Sequence, residues 1–154
     1  MDMSGEYRLE MPREQVWAAL NDPEVLKACI PGCESLEMTS DTTMTAVVVQ
    51  KIGPVKARFT GEVELVNIDA PAGYTIQGEG KGGVAGFAKG SADVKLTEDG
   101  DGTVLAYEAH AQIGGKLAQL GSRLINSTAK KLADAFFENF RKHLSEEGET
   151  PAKA

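Results

Sequence analysis

Cys29 and Cys33 flank Ile30-Pro31-Gly32 and set two thiols on either side of a rigid turn. A zinc site would need four ligands, and only His110 and His143 remain as nitrogen donors. His110 falls on the outer face of an alternating run and His143 at the end of the last helical pattern. The expectation is therefore two loop-stabilising or buried thiols and no metal. Gly78-Glu79-Gly80-Lys81-Gly82-Gly83 matches the dinucleotide pattern G-x-G-x-x-G. That pattern works where a helix N-terminus follows at once and aims its free N–H groups at a pyrophosphate. Another strand follows here, and the segment has no G-K-[ST] phosphate loop. A nucleophilic set needs a base within reach of a serine, threonine or cysteine, and both histidines are expected at the surface. Glu62, Glu64, Asp93 and Glu108 point outward in the strand register, which leaves no inward pair of carboxylates. Asn126-Ser127-Thr128 is a glycosylation sequon in the middle of a helix and carries no weight. The inward polar groups are Tyr74, Tyr107 and Gln50, which could orient a bound molecule through one or two hydrogen bonds.

The elements that hold these groups follow from periodicity. A short strand, Tyr7 to Glu10, precedes Met11-Pro12-Arg13-Glu14, where proline at the first helical position and a nearby acid mark a helix start. Val16, Trp17 and Leu20 share one side of that helix. Asp22 caps a second helix that opens with Pro23 and stops at Ala28 or Cys29, before Pro31-Gly32. From Glu34 to Gly114 the period is two. Met44, Ala46, Val48, Gln50 and Ile52 share one face, and Gly53-Pro54 turns into Val55, Ala57, Phe59, Gly61, Val63 and Leu65. Tyr74, Ile76, Gly78 and Gly80 lead to a Gly82-Gly83 turn. Ala88, Gly90, Ala92, Val94 and Leu96 then run to the hairpin chemistry of Asp99-Gly100-Asp101-Gly102. Leu105, Tyr107, Ala109, Ala111 and Ile113 complete a six- or seven-stranded antiparallel meander with one apolar face. Gly114-Gly115 opens a long helix to about Leu144, with a stripe of Leu117, Leu120, Leu124, Thr128, Leu132, Phe136 and Phe140. The expected organisation is one α+β domain over 1–144, a curved sheet wrapped around a C-terminal helix with two short helices after strand 1. Residues 145–154 read as a disordered polar tail.

Totals narrow the function classes. The chain has 154 residues, 42% apolar and 25% charged, as suits one soluble domain. A net charge of −7 argues against nucleic acid, which needs a concentrated basic face. No apolar run nears the roughly 20 residues that span a bilayer, and the acidic N-terminus lacks a signal-peptide core. The expected location is the cytoplasm. Lys130, Lys131, Arg141 and Lys142 form a local basic cluster, read as a solvated helix face.

One feature of the inner sheet face points to binding. Ala46, Ala57, Gly61, Gly78, Gly80, Ala88, Gly90, Ala92, Ala109 and Ala111 all fall on it. Interiors are normally filled to crystal-like density. A face this bare either lets the helix come very close, as Gly121 would allow, or leaves a hollow. The large Phe136, Phe137 and Phe140 favour the hollow. An apolar cavity with few polar groups suits a lipophilic molecule.

Several segments resemble one family. They are Met11 to Trp17, Leu20 to Pro23, Cys29 to Glu34, Lys51 to Val55, Gly86 to Gly90 and Gln112 to Gly121. Together they resemble the CoxG family of carbon monoxide dehydrogenase subunits, within the START-like, or SRPBCC, superfamily. The resemblance implies a helix-grip fold. It also implies a non-catalytic accessory protein for carbon monoxide dehydrogenase or a related molybdenum hydroxylase, one that tethers the enzyme to the membrane or carries a quinone to it. Longer members carry a membrane-associating C-terminal extension, whereas this sequence ends in a short polar tail. Shuttling a lipid, or docking through a partner, is thus expected rather than stable anchoring, and any membrane contact would be peripheral, at its inner face. No intrinsic cofactor is expected, only a bound quinone or other lipid. Its cavity would be floored by Leu120, Leu124, Thr128 and Leu132 and walled by Phe59, Tyr74, Ile76, Ala88, Gly90, Tyr107 and Ala109. Phe87, exposed on the glycine-rich hairpin, would guard an entrance, meet the membrane, or make an ordinary strand-tip contact. Two alternatives are an adaptor or membrane-recruitment factor with a collapsed cavity and a polyketide-cyclase-like enzyme.

Overall fold

A computed structural model describes residues 1–153, with side chains described through Ser145. Strand β1 (Asp2–Leu9) leads into helices α1 (Arg13–Leu20) and α2 (Pro23–Cys29). Then come β2 (Cys33–Met38), β3 (Thr43–Ile52), β4 (Val55–Asp69), β5 (Gly73–Lys81), β6 (Phe87–Asp99) and β7 (Gly102–Gly114). They form one antiparallel sheet in the order β1-β7-β6-β5-β4-β3-β2, so β1 returns to pair with β7 and the rest is a meander. Helix α3 (Ser122–Lys153) crosses the apolar face.

Local chemistry explains most boundaries. Asp22 accepts a hydrogen bond from the Glu24 N–H at 3.0 Å, and Pro23 supplies a first-turn residue that has no N–H to satisfy. Pro12 stands at the cap of α1, one place before its first turn. β1 is longer than expected because Asp2 to Leu9 pair continuously with His110 to Thr103 of β7, an edge pairing that alternation alone does not reveal. The C-terminal helix also begins later than expected. Gly115–Leu120 is a 3-10 segment, and Gly121, at φ +91, separates it from α3. Such a φ suits glycine and breaks helical continuity. Gly121 therefore serves a junction, not a close approach of helix to sheet, and no atom would lie within 4 Å of a Cβ there. α3 continues past Leu144, where a polar tail was expected; side chains beyond Ser145 lie outside the described residues.

The core is concentrated at one end. Leu9, Val16, Leu20, Val25, Cys29, Leu96, Leu105, Phe140 and Leu144 form one buried cluster near the β6–β7 turn, with α1 and α2 plugging it. Beside it Trp17 packs against Tyr74, with ring centres 5.1 Å apart and planes tilted by 52°, joining a smaller cluster of Met44, Leu65 and Tyr74. Asn139 of α3 donates to the Cys29 carbonyl at 3.0 Å and so ties α3 to the plug.

Candidate functional site

Away from that plug the packing changes. Cross-strand register sets the small residues in rows: Ala46 faces Gly61, Gly61 faces Gly80, and Gly80 faces Ala88. A second row runs Val63, Gly78, Gly90, Ala111, and a third Ile76, Ala92, Ala109. A Cβ built on Gly80 would have nothing within 4 Å. α3 packs mainly on α2, β1 and β3, while the backbones of the central strands β4, β5 and β6 stand farther off. The inner face of the sheet is thus closely covered at the plug and less closely approached over β4 to β6.

The residues expected to line a cavity mark this division. Phe59, Ile76, Ala88, Gly90, Tyr107, Ala109, Leu120, Leu124, Thr128 and Leu132 are all half-buried, neither sealed in the core nor fully exposed. Leu120 belongs to the 3-10 segment, and the other three floor residues lie on the first turns of α3. Tyr74 differs, being 6% exposed at the boundary with the plug. Burial pushes its phenol up to about 12, and its hydroxyl has no hydrogen-bond partner among the described residues. Gln50 is already used, donating to the Pro31 carbonyl at 2.6 Å. Tyr107 stacks with Tyr7 and Phe137, at 6.3 and 5.9 Å between ring centres.

Gly90 needs a different reading from its neighbours. A Cβ there would collide with the His110 carbonyl oxygen and lie 3.0 Å from the Ala111 Cα, so the residue is required by close backbone approach within the sheet.

The loops at the open end complete the surroundings. Gly83–Ala85 forms a short 3-10 turn between β5 and β6, so no helix N-terminus follows the glycine-rich motif. Ala85 and Leu117 are buried where this turn meets the 3-10 segment before α3. An open groove of about 610 Å³ borders the junction, lined in part by Phe87, Ile113, Ala118, Gly121, Ile125 and Asn126. A larger depression, about 1050 Å³, lies across the opposite, polar face, with Glu62, Glu64, Gln77, Lys89, Ser91 and His110 among its lining residues. It contains no inward constellation.

The other candidates resolve simply. Cys29 and Cys33 form no disulfide, and the Cys33 thiol donates to the Ser35 carbonyl at 3.3 Å; Cys29 is buried, and burial pushes both thiols above their ordinary value. Among the described residues no cluster of His, Cys, Asp or Glu could hold a metal ion. His110 is exposed and hydrogen-bonded to Asp2 at 2.8 Å. His143 is half-buried rather than exposed, and α3 extends beyond it. Lys130 pairs with Asp134, and Arg141 and Lys142 with Glu138, as on a solvated helix face.

A sequence model for the carbon monoxide dehydrogenase CoxG subunit matches residues 5–145, nearly the whole chain. The chain belongs to the CoxG family. A conserved protein of Geobacillus kaustophilus has a similar structure, at 32% identity and a TM-score of 0.90, with 95% of this chain and 96% of that one covered. A START superfamily protein of Mycobacterium smegmatis aligns at a TM-score of 0.72 with 11% identity over 94% and 97% of the two chains. That likeness shows the START-like fold of this CoxG-family chain. A Rhizobium leguminosarum protein gives the same picture, with a TM-score of 0.71 and 18% identity over 95% of each chain. Curated protein sequences gave no match. Among the described residues no helix is long and apolar enough to cross a membrane.

Proposed function

We propose that this CoxG-family protein is a non-catalytic carrier that holds a lipophilic molecule, a quinone foremost, between the small-residue face of its sheet and the first turns of α3. In that role it serves a carbon monoxide dehydrogenase or a related molybdenum hydroxylase at the membrane. One observation carries the reading. Glycine and alanine stand in register across four strands beneath a helix that the central strands do not approach, and a face so bare is left unfilled by the protein itself. Family membership supplies the accessory role, and Phe59, Ile76 and Tyr107, half-buried on neighbouring strands, would supply apolar walls for the flat ring of a quinone.

An enzymatic reading would need converging polar groups on that face. Gln50 is held by Pro31 and Tyr107 stands in an aromatic stack, which leaves Tyr74 as an orienting group rather than half of an acid–base pair.

Native mass spectrometry of the purified protein, followed by organic extraction, tests the carrier. A co-purifying quinone, or a stoichiometric mass increase on incubation with a short-chain quinone, is the expected result. An unchanged apo mass across such compounds would overturn the carrier and move the reading to a ligand-free adaptor.

A further inference from the structure

The inner face of the sheet offers few places to put a proton. From Thr75 to Lys81, β5 pairs with β4 on one side and β6 on the other, so its backbone N–H and C=O groups are committed to the sheet. The charged residues of these strands, Glu62, Glu64, Glu79, Lys89 and Asp93, alternate with the small residues and fall on the outer face. Gln50 donates its amide to the Pro31 carbonyl, and the Tyr107 hydroxyl lies over β1, 3.1 Å from where a Cβ on Gly5 would stand. Among the groups expected to face the cavity, two hydroxyls remain unpaired, those of Tyr74 and Thr128. Trp17, Met44 and Leu65 pack around the Tyr74 ring and leave the residue 6% exposed. Its unpaired oxygen is not sealed off, so part of that exposure lies at the hydroxyl.

A site whose free polar groups are hydroxyls favours one kind of partner. A hydroxyl facing a carbonyl brings one proton to two oxygens, and the contact uses it. A hydroxyl facing another hydroxyl brings two protons, and the contact uses only one. The second must find another acceptor or stay unpaired, and an unpaired buried donor is less tolerated than an under-used carbonyl. Here the strand backbone is committed and no carboxylate of β4, β5 or β6 faces inward, so that acceptor is missing.

We propose that the site distinguishes the two redox states of its cargo, holding an oxidised quinone more tightly than the quinol. The quinone has two carbonyls and no proton to place, whereas the quinol has two hydroxyls. The inference rests on the carrier reading and adds a direction to it. Reduction gives the quinone two electrons and two protons and turns both C=O groups into C–OH. The enzyme served supplies them as it adds the oxygen of one water to its own substrate, which is oxidised. The same step loosens the cargo, so the carrier is loaded with electron acceptor and gives up the reduced product.

Equilibrium dialysis of the full chain against a para-benzoquinone carrying a decyl chain, and under argon against its quinol, tests this. Partition of the same pair into phosphatidylcholine vesicles gives the preference that lipophilicity alone produces. The protein's preference for the quinone should exceed that baseline about tenfold or more, the scale of one orphaned donor. A tenfold preference also lowers the midpoint potential of the bound couple by about 30 mV relative to the vesicles, which a redox titration reads independently. Ala92→Asp adds an acceptor to the small-residue row next to Tyr74 and should bring the preference within about threefold of the baseline. Ala109→Asp, in the same row, serves if melting curves show the first variant to be unfolded. Both forms held at the baseline ratio, or the quinol held more tightly, would overturn the inference and leave the carrier standing. A folded acceptor variant that keeps the full wild-type preference would overturn it as well. Binding of neither form would overturn the carrier, and this inference with it.

Discussion

Tyr7 of β1 donates its hydroxyl proton to the Asp134 carboxylate of α3 across 2.6 Å, and its ring stacks on Phe137 at 4.1 Å. Edge strand and helix are thereby joined by one polar and one aromatic contact. Burial and the Asp134 bond raise the Tyr7 phenol above its ordinary value of 10.0, and the same bond lowers Asp134 below 3.8. The two shifts bound a pH window. A lowered Asp134 contributes stability present above its unfolded value and lost as pH falls through its folded value. A raised Tyr7 contributes stability present below its unfolded value and lost as pH rises through its folded value. Tyr7→Phe should therefore lower Tm by a few degrees, with a difference from wild type that is constant between about pH 5 and 9. Thermal melts across pH check this, and the difference should shrink toward pH 3.

The uneven core makes a second prediction. Phe140 is fully buried in the plugged cluster, whereas Leu132, two turns earlier on the same helix face, is half-buried over the open interior. Phe140→Ala should cost about 3–5 kcal/mol, as for a buried aromatic. Leu132→Ala should cost less than the roughly 2 kcal/mol at the low end for buried leucines, because a half-buried side chain has less buried surface to lose. Urea unfolding measures both. Equal costs would mean that the interior is packed evenly along α3.

Much of this division is legible in the sequence, and the rest is not for identifiable reasons. Strands β3 to β7 declare themselves because charged residues such as Lys56, Arg58 and Glu62 alternate with the small inward ones. The helix start is misread because Leu117, Leu120 and Leu124 keep helical spacing straight through Gly121, and a backbone break at positive φ leaves no mark in apolar periodicity. Gly90 and Gly80 look alike in sequence. Only the backbone separates the glycine that the sheet requires from the one that faces space.

That contrast between glycines gives the third prediction. Gly80→Phe should place a ring in the open interior and abolish quinone retention while leaving urea stability within about 1 kcal/mol of wild type. Ala109→Phe, in the third small-residue row, should act in the same direction. Gly90→Ala should instead destabilise the β6–β7 pairing, because even a methyl group meets the His110 carbonyl. Extraction and unfolding on the same preparations separate these outcomes. Retention of quinone by a folded Gly80→Phe variant would place the ligand elsewhere.

On the outer face the Asp2–His110 pair joins the start of β1 to β7 at 2.8 Å. The bond to Asp2 raises His110 above 6.5, and the bond to His110 lowers Asp2 below 3.8. Any stability from the raised histidine is present below its unfolded value and lost as pH rises through its folded value. Asp2 removes the contribution again as pH falls through its own folded value. A histidine NMR titration should place His110 above the ordinary midpoint, and Asp2→Asn should lower it toward that midpoint. A midpoint indifferent to Asp2→Asn would show that the pair does not persist in solution.

Tyr74 offers the sharpest separation of fold from function. Its ring packs against Trp17 and adjoins Val94 and Ile76, so the apolar body is held whether or not the oxygen is present. The hydroxyl makes no hydrogen bond within the described residues, and a phenol pushed up to about 12 stays protonated through neutral pH. It can therefore offer a proton to an acceptor such as a quinone carbonyl. Tyr74→Phe removes a donor that the fold does not use, so stability should be unchanged or slightly higher. Affinity for a carbonyl-bearing quinone should fall several-fold, the scale of one lost neutral hydrogen bond. A hydrocarbon ligand of similar size should bind Tyr74→Phe and wild type equally. Parallel titrations with the two ligands test this. Equal loss for both would assign Tyr74 a packing role, whereas loss confined to the quinone would identify the hydroxyl as the group that orients it.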